Sequence, residues 1–273
     1  LIDVQVLRKN DKTIAKTVSG TDFTLALKAD GTVWTWGYNG YGQLGLGDNS
    51  NRYRPTQINI ENVVDIAAGN NHALLVTADG KVYSFGSNSY GQLGRTGNTY
   101  TPQEIPNLEN IEKVSAGNYH SIALDKDGNV YTWGLNSKGQ LGNRTTETVS
   151  IPEKITGLDN QVVKVAAGGN LSAIIDSTGD VYVFGDNSKE QIEEFKYNYD
   201  EFGQKILPAL NTYVSQPIKV QTVENAVKVQ CLQTGIVVLK TDGSVERTTK
   251  YAKQANAQKT TVINSGMVDI SGK

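Results

Sequence analysis

The sequence predicts an all-β fold made of repeated four-stranded units, and three observations support this. A motif centred on a β-turn recurs about every 50 residues, with one longer interval, along the 273-residue chain. Each turn is an Asp-Gly or Thr-Gly pair between two apolar runs, which is typical of a tight β-hairpin. No long amphipathic helical pattern interrupts the repeats. The copies of the turn are Asp30-Gly31, Asp79-Gly80, Asp127-Gly128, Thr178-Gly179 and Asp242-Gly243.

The elements of one repeat are clearest between residues 56 and 94. TQINI (56–60) and VVDIAAG (63–69) are short runs bounded by turn residues, so each predicts a strand. HALLVTADGKVYSFG (72–86) predicts two strands joined by the Asp-Gly turn. SNSYGQLG (87–94) follows as a loop. Each repeat therefore predicts four strands.

Four features recur at matching positions in successive repeats. A small-residue strand ends in VSG, AAG, SAG and AAG, at 18–20, 67–69, 115–117 and 166–168. The last hairpin strand ends in an aromatic-glycine pair, at Trp36-Gly37, Phe85-Gly86, Trp133-Gly134 and Phe184-Gly185. An asparagine follows two residues later, at Asn39, Asn88, Asn136 and Asn187. GQLG occurs at 42–45, 91–94 and 139–142 and changes to EQIE at 190–193.

Four antiparallel strands cannot bury a hydrophobic face alone, whereas radial stacking buries each unit against the next. The predicted fold class is therefore a β-propeller built from four-stranded blades of about 50 residues. We expect the small residues in a crowded position near the axis. The aromatic residue before glycine is expected to fill the wider space between blades.

The repeats resemble those of the regulator of chromosome condensation family. The resemblance is carried by VVDIAAGNNHALLVTADGKVYSFGSNSYGQLG and by KVSAGNYHSIALDKDGNVYTWGLNSKGQLG. It is specific through residue 192 and weak beyond it. The resemblance implies a propeller, usually of seven blades, and the clean GQLG form looks more like the bacterial members than the nuclear ones.

We expect one domain, 1–273, with five complete blades and a partial sixth, which is fewer than a seven-bladed ring needs. The chain is therefore expected either to be part of a longer protein or to end in a repeat that something else completes. An array that stays open would self-associate through its exposed blade edge. Residues 190–214 are an insertion, for which a short helix and a loose loop both stay open. The expected blades are 3–37, 55–86, 102–134, 151–185 and 216–247, with the partial one at 260–273.

The composition argues against several classes of function. The net charge is −2, and the richest basic stretch, 247–259, is diluted by Thr, Ala and Gln, so we expect no nucleic-acid partner. One cysteine and two histidines cannot supply the roughly four ligands of a structural zinc site. No apolar stretch approaches the roughly 18 residues of a membrane span, so no membrane span is expected.

Two short motifs resemble ligand loops but have structural explanations. GYGQLG (40–45) matches the dinucleotide pattern G-x-G-x-x-G, but no helical pattern follows to receive a phosphate. DKDGN (125–129) has its glycine at the fourth position rather than the sixth position of a calcium-binding EF-hand loop. Neither motif therefore predicts a cofactor or a metal.

The reactive side chains also occupy structural positions of the repeat. His72 and His120 share one position with Phe23 and Leu171, which indicates packing rather than general base catalysis. Cys231 aligns with small core residues and not with a nucleophile. We therefore predict no catalytic residue and no enzymatic activity.

Surface positions that vary while the repeat frame is kept are the candidate partner-binding residues. Tyrosine offers rigid, amphipathic contact area there at low entropic cost. The alternative is that these tyrosines are ordinary residues of a propeller rim. The candidates are Tyr38, Tyr41, Tyr90, Tyr119, Asn71 and Asn170.

These observations favour a non-catalytic scaffold that presents rim loops to a protein partner, as part of a larger bacterial secreted or surface protein. A cytoplasmic location stays open. The family resemblance implies a first alternative, a nucleotide exchange factor for a small GTPase. A secreted inhibitor of a β-lactamase-type enzyme and a structural spacer are further alternatives.

Overall fold

The computed structural model describes residues 13–188, 198–199, 205–206, 212–233 and 235–248. Every regular element in these ranges is a β-strand. The same ranges contain no helix of the length and apolar character that crossing a membrane requires. The all-β prediction is confirmed.

Three antiparallel four-stranded sheets form one compact unit, made of the described residues up to Leu135 together with Thr148–Ile155. The first sheet contains β1 (Ile14–Ser19), β2 (Phe23–Lys28), β3 (Val33–Gly37) and β4 (Arg52–Gln57). The second contains β5 (Val63–Ala68), β6 (His72–Thr77), β7 (Val82–Gly86) and β8 (Gln103–Glu104). The third contains β9 (Ile111–Ala116), β10 (His120–Asp125), β11 (Val130–Gly134) and β12 (Val149–Lys154).

A second unit is made of Asn136–Glu147 and the described residues from Thr156 onwards. Its first sheet begins with β13 (Val162–Gly168), β14 (Leu171–Asp176) and β15 (Val181–Asp186). A short ribbon, β16 (Asn198–Tyr199) with β17 (Lys205–Ile206), precedes β18 (Tyr213–Lys219), which pairs with β15. The other sheet contains β19 (Ala226–Leu232), β20 (Gly235–Lys240) and β21 (Val245–Thr248).

In the four copies that the structure describes, the strand with which each predicted repeat begins pairs with the sheet of the preceding repeat. The strand expected at 56–60 is β4, and it pairs with β3 in the preceding sheet, with Arg52 opposite Gly37. The long loop after β3 returns the chain antiparallel to that strand, and the Ile58 amide then donates to the Val33 carbonyl oxygen at 2.9 Å. The sheets are therefore offset by one strand from the repeat boundaries given above.

Some expectations fall outside the described residues. The start of the first expected blade, residues 3–12, and the partial blade at 260–273 lie there. Of the insertion at 190–214, the structure describes only the short ribbon and the start of β18. The single domain, the seven-bladed ring and self-association stay predictions.

The crowding predicted at the small-residue strand is confirmed. A Cβ atom on Gly69 would lie 2.4 Å from the Gly117 carbonyl oxygen and 2.1 Å from Cε1 of His72. A Cβ atom on Gly20 would lie 2.5 Å from the Gly69 carbonyl oxygen. Only glycine therefore lets the small-residue strands of successive sheets approach this closely.

The aromatic residues before glycine fill the space between sheets, as predicted. Phe85 is fully buried in a cluster that also contains Leu25 and Leu44 of the first repeat. Trp133 is fully buried in a second cluster, together with Leu74 of the second sheet and Ile111 of the third. Burial of such large rings accounts for several kcal/mol each, on the order of 3–5 on truncation to alanine.

His72 is a packed residue with one hydrogen bond. The Ser121 hydroxyl donates to the Gln92 carbonyl oxygen at 2.8 Å, so Ser121 Oγ accepts from His72 Nε2 at 3.1 Å. Burial, together with the charge of His120 nearby, lowers the pKa of His72 to about 3. His72 is therefore neutral in the folded protein, which agrees with a structural role.

Cys231 and the acidic turn also serve the fold. Cys231 is buried, its Sγ donates to the Ala166 carbonyl oxygen at 3.6 Å, and burial raises the pKa of its thiol. In the DKDGN turn, Asp125 Oδ1 accepts from the amides of Asp127 and Asn129 at 3.0 and 2.8 Å. The carboxylate of Asp125 is thus used to shape the hairpin turn.

We predict that Gly69→Ala destabilises the protein by about 3 kcal/mol, because the new methyl group meets a backbone carbonyl and a buried ring. Gly97→Ala is the control. Gly97 has φ +94° and no atom within 4 Å of an added Cβ, so only backbone strain of about 1 kcal/mol is expected. Urea unfolding measures the stability of both variants. Equal losses of stability would show that the close approach of the strands at Gly69 does not require glycine.

We predict that His72→Phe reduces the loss of stability on acidification. The pKa of His72 lies below its unfolded value of 6.5, so the unfolded chain gains a proton first and stability falls as pH drops below 6.5. Between about pH 7 and about pH 5, the titration of His72 alone lowers the free energy of unfolding by about 2 kcal/mol. Phenylalanine suits the position, since Phe23 occupies it in the first sheet. Urea midpoints of both proteins at the two pH values test this, and parallel curves would contradict it.

Candidate partner-binding surface

The turns and loops that carry the candidate residues of the first unit lie at one edge of its sheets. Phe23, the first residue of β2, pairs with Gly37, the last residue of β3. The turn at 20–22 and the loop at 38–51 therefore leave the sheet on the same side. The second sheet repeats this with His72 opposite Gly86.

Each GQLG loop is held by its own asparagine and glutamine side chains. Asn39 Oδ1 accepts from the Leu44 amide at 2.9 Å, and Gln43 Oε1 accepts from the Tyr41 amide at 2.9 Å. In the next copy Asn88 Oδ1 accepts from Leu93 and Gln92 Oε1 accepts from Tyr90, at 2.9 and 2.8 Å. Internal hydrogen bonds between side chains and backbone amides therefore give each loop a defined conformation.

Each loop also reaches the next sheet. Gln43 Nε2 donates to Asn71 Oδ1 at 3.4 Å, and Trp133 Nε1 donates to the Gln92 carbonyl oxygen at 2.8 Å. Leu44 is fully buried, and an added Cβ on Gly45 would lie 3.0 Å from the Phe85 ring. The GYGQLG segment is thus committed to packing, and β4 follows it instead of a helix.

Tyr38 and Tyr41 form an exposed aromatic corner. Their rings are nearly perpendicular, at 77°, with centroids 6.2 Å apart. Tyr38 lies over Gly40, since a Cβ atom there would be 2.1 Å from its hydroxyl. The side chains remain 41% and 50% exposed, so their ring surfaces are open to a partner.

A second aromatic pair follows along the same edge. Tyr90, 41% exposed, has its ring centroid 5.2 Å from that of Tyr119 at the turn of the third sheet. Between the two pairs, half-buried Asn71 accepts from Gln43 and, through its carbonyl oxygen, from the Ser87 amide at 2.7 Å. We call Tyr38, Tyr41, Asn71, Tyr90 and Tyr119 the tyrosine strip.

Asn170 belongs to the second unit and is not part of the tyrosine strip, which is defined on the first unit. Its carbonyl oxygen accepts from the Asp186 amide at 2.9 Å, in the same way that Asn71 accepts from Ser87. The structure therefore gives Asn170 the same backbone role as Asn71. It places the other five candidate residues along one edge of the first unit, as two ring pairs and Asn71.

Tyr100 is a surface residue that the sequence analysis missed. It is 41% exposed, and an added Cβ on Gly42 would lie 2.6 Å from its ring. The Tyr100 carbonyl oxygen accepts from the Gly47 amide at 2.9 Å. The available signal was its spacing of two residues before Pro102, which repeats the spacing of Tyr53 and Pro55.

Few charges accompany the strip. Arg52 is paired with Asp48, and hydrogen bonds from Arg52 hold the pKa of the Asp48 carboxyl below its ordinary value. Arg95 is buried, where it donates to carbonyl oxygens including that of Asn98 at 2.7 Å, and burial lowers its pKa to about 10. Asp22, at the turn beside Tyr38, is exposed.

The geometry offers a rigid, largely uncharged contact surface. Within the described residues no group of three or more His, Cys, Asp and Glu side chains is placed to hold a metal ion. His72 and Cys231, the groups with reactive potential, are buried in packing roles. Besides Asp22, this edge presents mainly aromatic rings and amide groups.

Comparison with solved structures shows the same fold. Prp20p from Saccharomyces cerevisiae superposes with a TM-score of 0.72 at 24% identity, over 86% of this chain and 57% of Prp20p. Human WBSCR16 gives a TM-score of 0.73 at 24% identity, over 86% of this chain and 61% of that protein. The chain thus spans about three fifths of the length of these relatives.

Family models match the chain as far as residue 191. The model described as RCC1-like domain matches residues 2–159, and the model for the regulator of chromosome condensation (RCC1) repeat matches residues 162–191. The first match covers more than half of the sequence. Together with the repeated antiparallel sheets, it shows that this chain belongs to the RCC1-like domain family of β-propellers.

Proposed function

We propose that the chain is a non-catalytic interaction module that binds a protein partner through the tyrosine strip. The observation that carries the proposal is a set of two tyrosine pairs at one edge, of which Tyr38, Tyr41 and Tyr90 are exposed and lie on loops that are themselves hydrogen-bonded and packed. A preorganised surface loses little conformational entropy on binding. Tyrosine is also enriched among the residues that dominate interface energies.

Variation within the repeat supports the same conclusion. The loop position of Tyr38 is Ser87 in the second copy and Leu135 in the third, while the asparagine that follows it is kept. The frame residues are committed to packing and hydrogen bonding. The variable residues are therefore free to determine which partner binds.

The relatives give independent support for a protein partner. The structure of Prp20p was described together with its binding to Gsp1p and histones, and yeast RCC1 (Prp20) has been solved with Kap60 bound. Family membership makes nucleotide exchange on a small GTPase the second candidate. We also propose that the chain is part of a larger bacterial secreted or surface protein. Inhibition of a β-lactamase-type enzyme and a role as a structural spacer remain alternative functions.

We predict that Tyr38→Ala/Tyr41→Ala/Tyr90→Ala weakens binding to a captured partner at least about 100-fold, because each truncation removes a ring worth about 1 kcal/mol or more. The measurement is a pull-down from native extract, followed by titration of the partner that is retained. Tyr213→Ala is the matched control, because Tyr213 is 43% exposed but is not a residue of the tyrosine strip.

The outcomes separate the candidate functions. Loss in the triple variant with retention in Tyr213→Ala supports the module and its surface. Equal retention by all three proteins contradicts the tyrosine strip as the binding surface. If the partner is a GTPase, accelerated nucleotide release by the wild type favours the exchange factor. Lost β-lactamase turnover favours the inhibitor, and a spacer tolerates every substitution.

A further inference from the structure

The charges at the edge that carries the tyrosine strip are unevenly distributed. The turns and loops of the first unit there are 20–22, 38–51, 69–71, 87–102 and 117–119, and Arg95 is the one Lys or Arg that they contain. Arg95 is buried, and Asp48 is neutralised by Arg52, which begins β4. In these described segments, Asp22 is left as the exposed charge without an ion-pair partner.

Asp22 lies beside the aromatic corner. Its carbonyl oxygen accepts from the Tyr38 amide at 2.8 Å, which fixes its backbone against that of Tyr38. The Tyr38 and Tyr41 rings meet at 77° and are about half exposed. An exposed acidic residue is thus bonded through its backbone to Tyr38, one of the two residues of the aromatic corner.

This combination selects for a cation. The face of an aromatic ring carries negative charge density and attracts ammonium and guanidinium groups, and a nearby carboxylate adds to the attraction. The chain already uses such a contact elsewhere, where Lys28 Nζ lies 4.0 Å from the Trp34 ring centroid. Within the described residues, no Lys or Arg side chain forms a cation–π contact with Tyr38 or Tyr41, so their exposed ring surfaces are open to a cation.

We propose that Tyr38, Tyr41 and Asp22 form a recognition corner for a cationic side chain of the protein partner, with arginine preferred. A planar guanidinium stacks on one ring while it donates hydrogen bonds to the carboxylate, which a compact ammonium does less well. The inference rests on the proposed function, because it assigns chemistry to part of the tyrosine strip.

The second aromatic pair provides an internal comparison. In the repeat, Tyr119 occupies the position that Asp22 occupies in the first copy, so the pair of Tyr90 and Tyr119 has no equivalent carboxylate. Asn71 occupies the same position in the second copy. A cation is therefore expected to prefer the first corner over the second pair.

Titration of the full chain with N-acetyl-arginine amide, followed by NMR of assigned tyrosine resonances, tests the proposal. N-acetyl-citrulline amide is the neutral control of the same shape. We expect the arginine probe to shift Tyr38 and Tyr41 more than Tyr90 and Tyr119. Asp22→Asn is expected to weaken binding about two- to fivefold, as for an exposed cation–π contact, and added salt to weaken it further.

Substitutions of the tyrosine rings distinguish recognition of the cation from nonspecific binding of the probe. Tyr38→Phe keeps the ring and is expected to retain binding of the arginine probe, whereas Tyr38→Leu loses it at similar size. Equal shifts with arginine and citrulline, or no shift with arginine, would overturn the proposal. A pull-down that still depends on the strip tyrosines would then leave the proposed function standing while removing its cationic chemistry.

Discussion

The packing of each GQLG loop against the aromatic residue of the following sheet is the contact on which the rest of the arrangement depends. In the first unit Gly45 lies on Phe85 and Gly94 on Trp133, and in the second unit Gly142 lies on Phe184. These glycines have φ between +66° and +69°, and an added Cβ would lie 2.8 to 3.0 Å from the ring. Glycine alone satisfies both the backbone conformation and the close contact.

The same loops link the stability of the fold to the recognition that we propose. Gln43 anchors the Tyr41 amide through its oxygen and reaches Asn71 through its nitrogen, so one side chain shapes the loop and joins it to the next turn. The exposed rings therefore stand on atoms that also hold neighbouring sheets together. Their positions follow from the packing beneath them and need no separate ordering step on binding.

Much of the fold was predictable because it is encoded locally. The sequence predicts a tight hairpin at each Asp-Gly pair, a crowded position at Gly69 and a buried ring at Phe85. Each of these features recurs in several repeats, which strengthens the prediction. The sheet to which β4 belongs could not be predicted from the sequence, because the pairing of β4 depends on how the loop at 38–51 returns the chain. The Ile58 amide bonded to Val33 records that return, and no local pattern specifies it. The candidate tyrosines were located from variable positions, but the pairing of Tyr90 with Tyr119 joins different repeats and appears only in three dimensions.

The offset between repeat and sheet has a consequence for how such a chain grows. A segment of one repeat length carries a strand that pairs backwards, as β4 does with β3, and a loop that packs forwards, as Gly45 does on Phe85. Every duplicated copy therefore contains both a strand that pairs with the copy before it and a loop that packs on the copy after it. The array lengthens or shortens by whole repeats with no new sequence at the junction, while the loop positions of each copy diverge independently.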